Sequence, residues 1–224
     1  MTTTMMENNI TIPTYIINIP KRKDRLKHIL GQFEGRNEFD VKVVEASVHA
    51  NGAVGLWMSI CRVIQMAIES DEDVIILCED DHQFTPYYET EKFLSAIYEA
   101  HRLGANFLLG GIIGGYSNML PLQSGLTWID TFWGTQFVVV FRSFFETILA
   151  EPFSEEDVAD GKFSEMTSNK FVMYPMISIQ KEFGYSDITA LYNVDGHLQH
   201  VIQSAITRME KIHDVYHRHS FYRL

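Results

Sequence analysis

The sequence predicts one layered α/β domain, a mostly parallel, Rossmann-like sheet with helices on both faces. Three observations predict it. Short β-branched runs alternate with stretches of helical period from Thr14 to Leu109. The run Val74-Ile75-Ile76-Leu77-Cys78 is apolar at every position, as a central parallel strand covered on both faces must be. The length of 224 residues, with 46% hydrophobic, suits one full-sized core.

In chain order, residues 1–13 are expected to fray, which leaves 14–224 as a single domain. Tyr15-Ile16-Ile17-Asn18-Ile19, ended by Pro20, reads as a buried strand. Leu26, Ile29, Leu30 and Phe33 recur at helical spacing, with Gly35 as a stop. Val41-Lys42-Val43-Val44 is a second strand, and Leu56, Ile60, Val63, Ile64, Ala67 and Ile68 line one helical face. After the strand at 74–78, Phe93, Leu94, Ile97 and Tyr98 mark a helix, and Phe107-Leu108-Leu109 a strand. Gly110, Gly111, Gly114 and Gly115 bracket two isoleucines and read as a mobile or tightly turned loop. Gln136 to Phe141 reads as a strand leading into a helix from Ser143 to Leu149. The acidic stretch from Glu151 to Asn169 reads as a surface loop or short helix, and Phe171 to Tyr174 as a strand cut by Pro175. Leu198, Val201, Ile202, Ala205, Ile206, Met209 and Ile212 form an amphipathic helix.

Composition excludes several classes. Eighteen basic against twenty-nine acidic residues give −11, which argues against a general nucleic-acid surface. No apolar stretch approaches the ~20 residues of a membrane span, and the N-terminus lacks the basic-then-apolar layout of a secretory signal. Cys61 and Cys78 lie in apolar segments without CxxC spacing, so free thiols in a reducing, cytoplasmic compartment are expected.

The chemistry concentrates at strand ends. The strand at 74–78 runs into Glu79-Asp80-Asp81-His82, where open α/β sheets place their ligands. In an extended chain Glu79 and Asp81 point to one side and Asp80 to the other. An acid-x-acid pair on one face suits a hard divalent cation, which in turn grips a diphosphate. The alternative is a solvated acidic turn. Lys21, Arg22, Lys23, Arg25 and Lys27 follow the first strand and open a helix, a setting that suits a phosphate; a solvated basic helix face is the alternative. Gly52 and Gly55 begin the second helix, where glycine allows a close backbone approach or simply makes a turn. His82 adjoins the acidic trio and His197 and His200 sit three apart, so one of them could complete a metal shell. No HExxH or other tight ligand spacing appears, and most of the histidines read as ordinary surface or core residues. The tail with His213, His217 and His219 reads as a solvated end.

Taken together, these segments resemble glycosyltransferase family 25, the lipopolysaccharide-biosynthesis group that also contains collagen galactosyltransferase domains. The stretch from Tyr15 to Arg25 resembles the family's opening strand, Asn-hydrophobic step at Asn18 and Arg-rich turn with Arg22 and Arg25. Gly52-Ala53-Val54-Gly55-Leu56-Trp57-Met58-Ser59 resembles its G-x-x-G-x-x-x-S segment, and Ile75 to Asp81 its L-x-x-E-D-D strand. Trp133-Gly134-Thr135-Gln136 resembles a later G-T segment, and Tyr174-Pro175, Gln180 and Ser186-Asp187-Ile188 its closing pattern. Ile60 and Gln136 stand where the family usually has histidine.

The resemblance implies a GT-A-like fold, a nucleotide-sugar donor such as UDP-galactose, manganese or magnesium, and a glycan or lipid-linked saccharide acceptor. Glu79 and Asp81 are then expected to hold the metal. Asn18, Arg22, Arg25, Gly52, Gly55 and Asp80 are expected at the donor. Asp187 is expected to take the acceptor's proton, unless its Ser-Asp pair is a helix cap or turn. Asp157 and Asp160 in the acidic stretch are the competing bases. Two other classes remain open: a degenerate, non-catalytic glycan- or partner-binding protein, motivated by Ile60 and Gln136, and a nucleotidyltransferase.

Overall fold

The computed structural model describes residues 10–122, 124–185 and 194–220. The chain runs β1 (Ile12–Asn18), α1 (Lys23–Phe33), β2 (Phe39–Glu45), α2 (Gly52–Glu69), β3 (Val74–Glu79), β4 (His82–Phe84), α3 (Thr90–Arg102) and β5 (Phe107–Leu109). It continues through β6 (Met119–Pro121), β7 (Leu126–Ile129), β8 (Phe137–Phe141), α4 (Phe145–Ala150), α5 (Ala159–Met166), β9 (Lys170–Met173), β10 (Ser178–Gln180) and α6 (His197–Ser220). Strand β1 starts two residues before the expected edge of the domain.

Among the described residues the main sheet has eight strands in the order β2-β1-β3-β8-β5-β9-β7-β6. Strands β2, β1, β3, β5, β9 and β6 run one way, and β8 and β7 run the other. The expected α/β class with mostly co-directional strands and helices on both faces is what the chain adopts. The side chains show why the central strands read as continuous apolar runs. Tyr15, Ile17, Ile75, Leu77, Val138 and Val140 face one core, roofed by α2, α4, α5 and α6. Their neighbours Ile16, Ile76, Cys78, Val139 and Phe141 face a second core under α1 and α3. Every position is buried because every position has a helix or loop above it.

Two features depart from the simple alternation. Strand β8 lies antiparallel between β3 and β5, because the β6–β7 hairpin, not a crossover helix, leads the chain into it. Strands β4 and β10 form a separate antiparallel pair. These two strands are three residues each, too short to show a period.

The glycine-rich segment 110–115 is tightly packed, with Ile112 and Ile113 buried. A Cβ on Gly111 would stand 1.9 Å from the Ser178 carbonyl oxygen, so the close approach of β10 demands glycine there. The acidic stretch contains α5, whose Phe163 is fully buried. Helix α2 is long and apolar enough, by length and composition, to cross a membrane. That departs from the sequence expectation, and its packing accounts for the apolarity. Trp57, Ile60, Val63, Ile64 and Ala67 are buried against the sheet, as in a core helix. Helix α6 closes the same face through Leu198, Ile202, Ala205 and Met209. His213 belongs to that packing and not to a solvated tail. Its ring stacks on Tyr174 at 3.5 Å, and its Nε2 lies 2.8 Å from Thr127 Oγ1.

Candidate functional site

A cleft of about 840 Å³ opens above the carboxyl ends of β1 and β3, within the size range of small-molecule sites. Glu79 is the last residue of β3, where its N–H donates to the Gln136 carbonyl and prolongs the ladder with β8. Asp80 and Asp81 then turn the chain into β4. The strand ends two residues earlier than an extended run of acids requires, so the expected alternation of sides does not apply. All three carboxylates line the same cleft.

Each acid has a different setting. Asp80 Oδ2 accepts from Asn18 Nδ2 at 2.8 Å and Oδ1 from Arg25 Nη1 at 3.1 Å. Asp81 Oδ2 accepts from Arg25 Nη1 at 3.0 Å and from Gln180 Nε2 at 2.8 Å, while its Oδ1 is buried without a partner. Glu79 Oε1 accepts from Thr135 Oγ1 at 2.6 Å. Burial, then the neighbouring Asp81 charge, pushes the Glu79 carboxyl up to about 8, against the Thr135 hydrogen bond. Burial likewise raises Asp81, to about 6, although Gln180 and Arg25 pull it down. Burial is the first cause of both shifts, and both favour the protonated form of the pair.

The basic cluster divides. Arg25 is 5% exposed and is committed to Asp80, Asp81 and the Tyr185 carbonyl, which accepts from Nη2 at 2.6 Å. Burial disfavours its charge, but Asp81 and Asp80 outweigh that and keep it protonated. It also stacks on Phe183 and Tyr185. Arg25 therefore serves as the counterion of the acidic turn, which the sequence reading did not foresee; its expected role was at a phosphate. Arg22 lines the cleft and lies over Tyr185. It occupies the N-cap of α1, which carries no side-chain cap. Lys181 lines the same end.

Asn18 is buried behind Asp80 and orients it, rather than lining the cleft. Gly52 and Gly55 line the cleft. A Cβ on Gly55 would come 2.7 Å from the Ser47 carbonyl oxygen, so packing of the β2–α2 connection accounts for that glycine. The amides at the start of α2 are engaged by their own cap, since Asn51 Oδ1 accepts from Ala53 at 2.9 Å.

Of the three candidate bases, Asp160 lies in the cleft. Its Oδ2 accepts from Gly134 N and its Oδ1 from Gly161 N, each at 2.8 Å, and burial raises its pKa. Asp157 does not line the cleft. It accepts from Ser154 N and Oγ and pairs with Lys162, closing a local turn. Asp187 lies outside the described residues. His82 does not face the cleft either; it is fully buried among Phe33, Phe84 and Phe137, and burial pushes its pKa down. His197 lines the cleft and His200 does not. The residues whose individual roles sequence reasoning missed are Thr135, Gln180 and Trp133. The Gly-Thr pair and the isolated glutamine were the signals available for the first two.

Among the described residues no three His, Cys, Asp or Glu side chains converge into a preformed metal cage. The donor set nevertheless fits a cation of the magnesium or manganese kind, which is commonly held by one or two carboxylates together with substrate phosphates. The unpartnered Asp81 Oδ1 and the raised Glu79 carboxyl are the observations that fit.

No protein-family model matches the chain, and no curated protein matches it. Solved structures with a similar layout include a glycosyltransferase involved in glycosylation of the major capsid of PBCV-1. It is 11% identical, with a TM-score of 0.46, over 85% of this chain and 98% of that one. An apo UDP-glucose pyrophosphorylase is 9% identical, with a TM-score of 0.46, over 89% and 82%. A197 from STIV is 13% identical, with a TM-score of 0.45, over 80% and 96%. At these identities and scores the likeness carries nothing about chemistry.

Proposed function

We propose that this chain is a metal-dependent glycosyltransferase. It moves a hexose such as galactose from a nucleoside-diphosphate sugar to a saccharide acceptor, such as the sugar of a lipopolysaccharide, in the cytoplasm. The observation that carries this reading is the Glu79–Asp81 pair at the end of β3, two acids lining the cleft whose carboxyls burial raises, with one buried Asp81 oxygen left without a partner. Glu79 and Asp81 would hold manganese or magnesium. When bound, that cation offsets the charge that develops on the leaving diphosphate. Arg22 and the uncapped start of α1 supply further positive potential for the same phosphates. Asp80, fixed by Asn18 and Arg25, sets the position of the acidic turn.

Asp160 is the base this reading assigns. Its carboxylate takes the proton of the acceptor hydroxyl as that oxygen bonds to the sugar's anomeric carbon and the bond to the diphosphate breaks. The backbone N–H groups of Gly134 and Gly161 hold it in place. Calorimetry of UDP with and without manganese tests the reading. Manganese-dependent binding that disappears in Asp81→Asn is expected; no UDP binding with manganese present would overturn it.

A second reading rests on Arg25. Its guanidinium already neutralises part of Asp80 and Asp81, which is what a non-catalytic glycan- or partner-binding relative needs. Saccharide binding independent of metal, with no hydrolysis of any nucleotide sugar, would favour it.

A further inference from the structure

The cleft lining holds two chemically distinct groups of side chains. Arg22, Arg25 and Lys181 are basic, and Arg25 and the Lys181 N–H bond directly to the acidic turn. Trp133, Val158, Leu198 and Val201 are apolar, and Trp133 and Val201 both pack beside Gly114. Trp133 is 51% exposed, although it is one of the largest apolar side chains in the molecule and is anchored at its backbone. Its N–H donates to the Gly114 carbonyl and its carbonyl accepts from Ile113 N–H, both at 2.8 Å. The indole lies against the Gly114–Gly115 backbone. A Cβ on Gly115 would stand 2.6 Å from the ring atoms Cγ and Cδ1, and Gly115 has φ +82°. Glycine at 115 therefore lets the ring lie flat on the main chain. One face is backed by backbone, which leaves the exposed surface turned to the cleft.

The next two residues connect this ring to the reactive groups. Gly134 donates its N–H to Asp160, and Thr135 donates its hydroxyl to Glu79. A Cβ on Gly134 would stand 2.7 Å from Gln136 Oε1 and 2.9 Å from Ile113, so that link is also held rigidly. An indole fixed in this way offers a flat apolar surface to the C–H face of a pyranose while leaving the sugar's hydroxyls free. A nucleotide's phosphates belong instead with the basic side chains beside the acidic turn.

We propose that Trp133 is the platform on which an uncharged pyranose ring stacks, placing one of its hydroxyls near Asp160. Calling that sugar the acceptor rests on the proposed glycosyl transfer; the binding site itself does not. Gly115 is a positioning residue that acts through Trp133.

The test titrates the full chain with methyl β-galactopyranoside, methyl β-glucopyranoside, methyl α-mannopyranoside and lactose, following tryptophan emission and heat of binding. At least one of these sugars is expected to shift the emission. Trp133→Phe should keep the heat of binding and lose the emission change. Trp133→Ala should weaken sugar binding by about tenfold. Gly115→Ala, which tilts the ring, should also weaken it. UDP binding should be unchanged in all three variants. No response to any of the four sugars in the unaltered chain overturns the proposal, as does a loss of UDP affinity in Trp133→Ala that matches the loss for sugar. Sugar binding at Trp133 in a chain that binds no UDP would leave the platform standing and remove the glycosyltransferase reading.

Discussion

Thr135 Oγ1 donates a 2.6 Å hydrogen bond to Glu79 Oε1, tying the connection before β8 to the last residue of β3. That bond favours the charged form of a carboxylate which burial and Asp81 push up to about 8. Because proton and cation compete for the same oxygens, manganese-dependent UDP binding should strengthen as pH rises from about 6 to about 8. Thr135→Val removes the donor and raises Glu79 further. Its binding curve should move to higher pH, with affinity several-fold weaker at pH 7 and recovered in more alkaline buffer, as calorimetry across pH would read. A curve that does not move would separate Glu79 from the cation.

The same shift makes a stability prediction for the metal-free chain. Glu79 binds its proton more tightly folded than unfolded, so its contribution to stability is present in full below about pH 4.5 and is lost as pH rises towards 8. Manganese should restore the loss at the alkaline end. Thermal melts across pH, with and without manganese, give the sign directly.

Arg25 is 5% exposed and bridges Asp80 and Asp81. Arg25→Met leaves two carboxylates without their counterion in a largely dry turn, which should cost about 3–5 kcal/mol in chemical denaturation. Arg25→Lys keeps the charge but loses the planar fork that also reaches the Tyr185 carbonyl, and should recover only part of that loss. A Met variant as stable as the parent would mean that the acidic turn does not need this counterion.

Asp160 and Asp157 lie three residues apart and should behave oppositely. Asp160→Asn removes the base and keeps one of the two accepted backbone hydrogen bonds, so transfer should fall about a hundredfold or more while UDP binding persists. Asp157→Asn disturbs only the turn with Ser154 and Lys162, and should leave turnover close to normal. The reverse result would move the base out of the cleft.

His213 ties α6 to Tyr174 and Thr127. Burial lowers its pKa to about 4, below its ordinary value of 6.5. The folded state binds fewer protons across that window, so the contribution of His213 is intact above pH 6.5 and is lost as pH falls towards 4. His213→Gln should flatten the stability profile between those limits in thermal melts. An unchanged acid slope would assign the acid sensitivity elsewhere.

What was legible in the sequence was whatever leaves a periodic or local trace. The five apolar residues 74–78 announced a strand covered on both faces, and Leu56 to Ile68 announced the helix packed on it. The abrupt change from Cys78 to Glu79-Asp80-Asp81 marked where the cleft had to be, because acids directly after an apolar strand fall at the edge of its sheet. Strand β8's antiparallel insertion and the three-residue β4 and β10 left no such trace, since pairing between distant short segments has no period to read.

Only the tertiary structure decided what each charge does. The sequence placed Arg25 among five basic residues, but the turn of Asp80 and Asp81, together with the Tyr185 carbonyl, turned it into a buried counterion. It also separated Asp160 from Asp157, which no composition of an acidic stretch distinguishes, by aiming the Gly134 N–H at one and leaving the other to Ser154. Trp133 became an exposed platform because glycine at 114 and 115 lets the backbone pass beneath its ring. The sequence by itself determined the layers and the edge at which polar chemistry collects, because burial and period are local properties. Partners were decided by folding, because a hydrogen bond between residues 55 or 160 positions apart exists only once the chain has closed the distance.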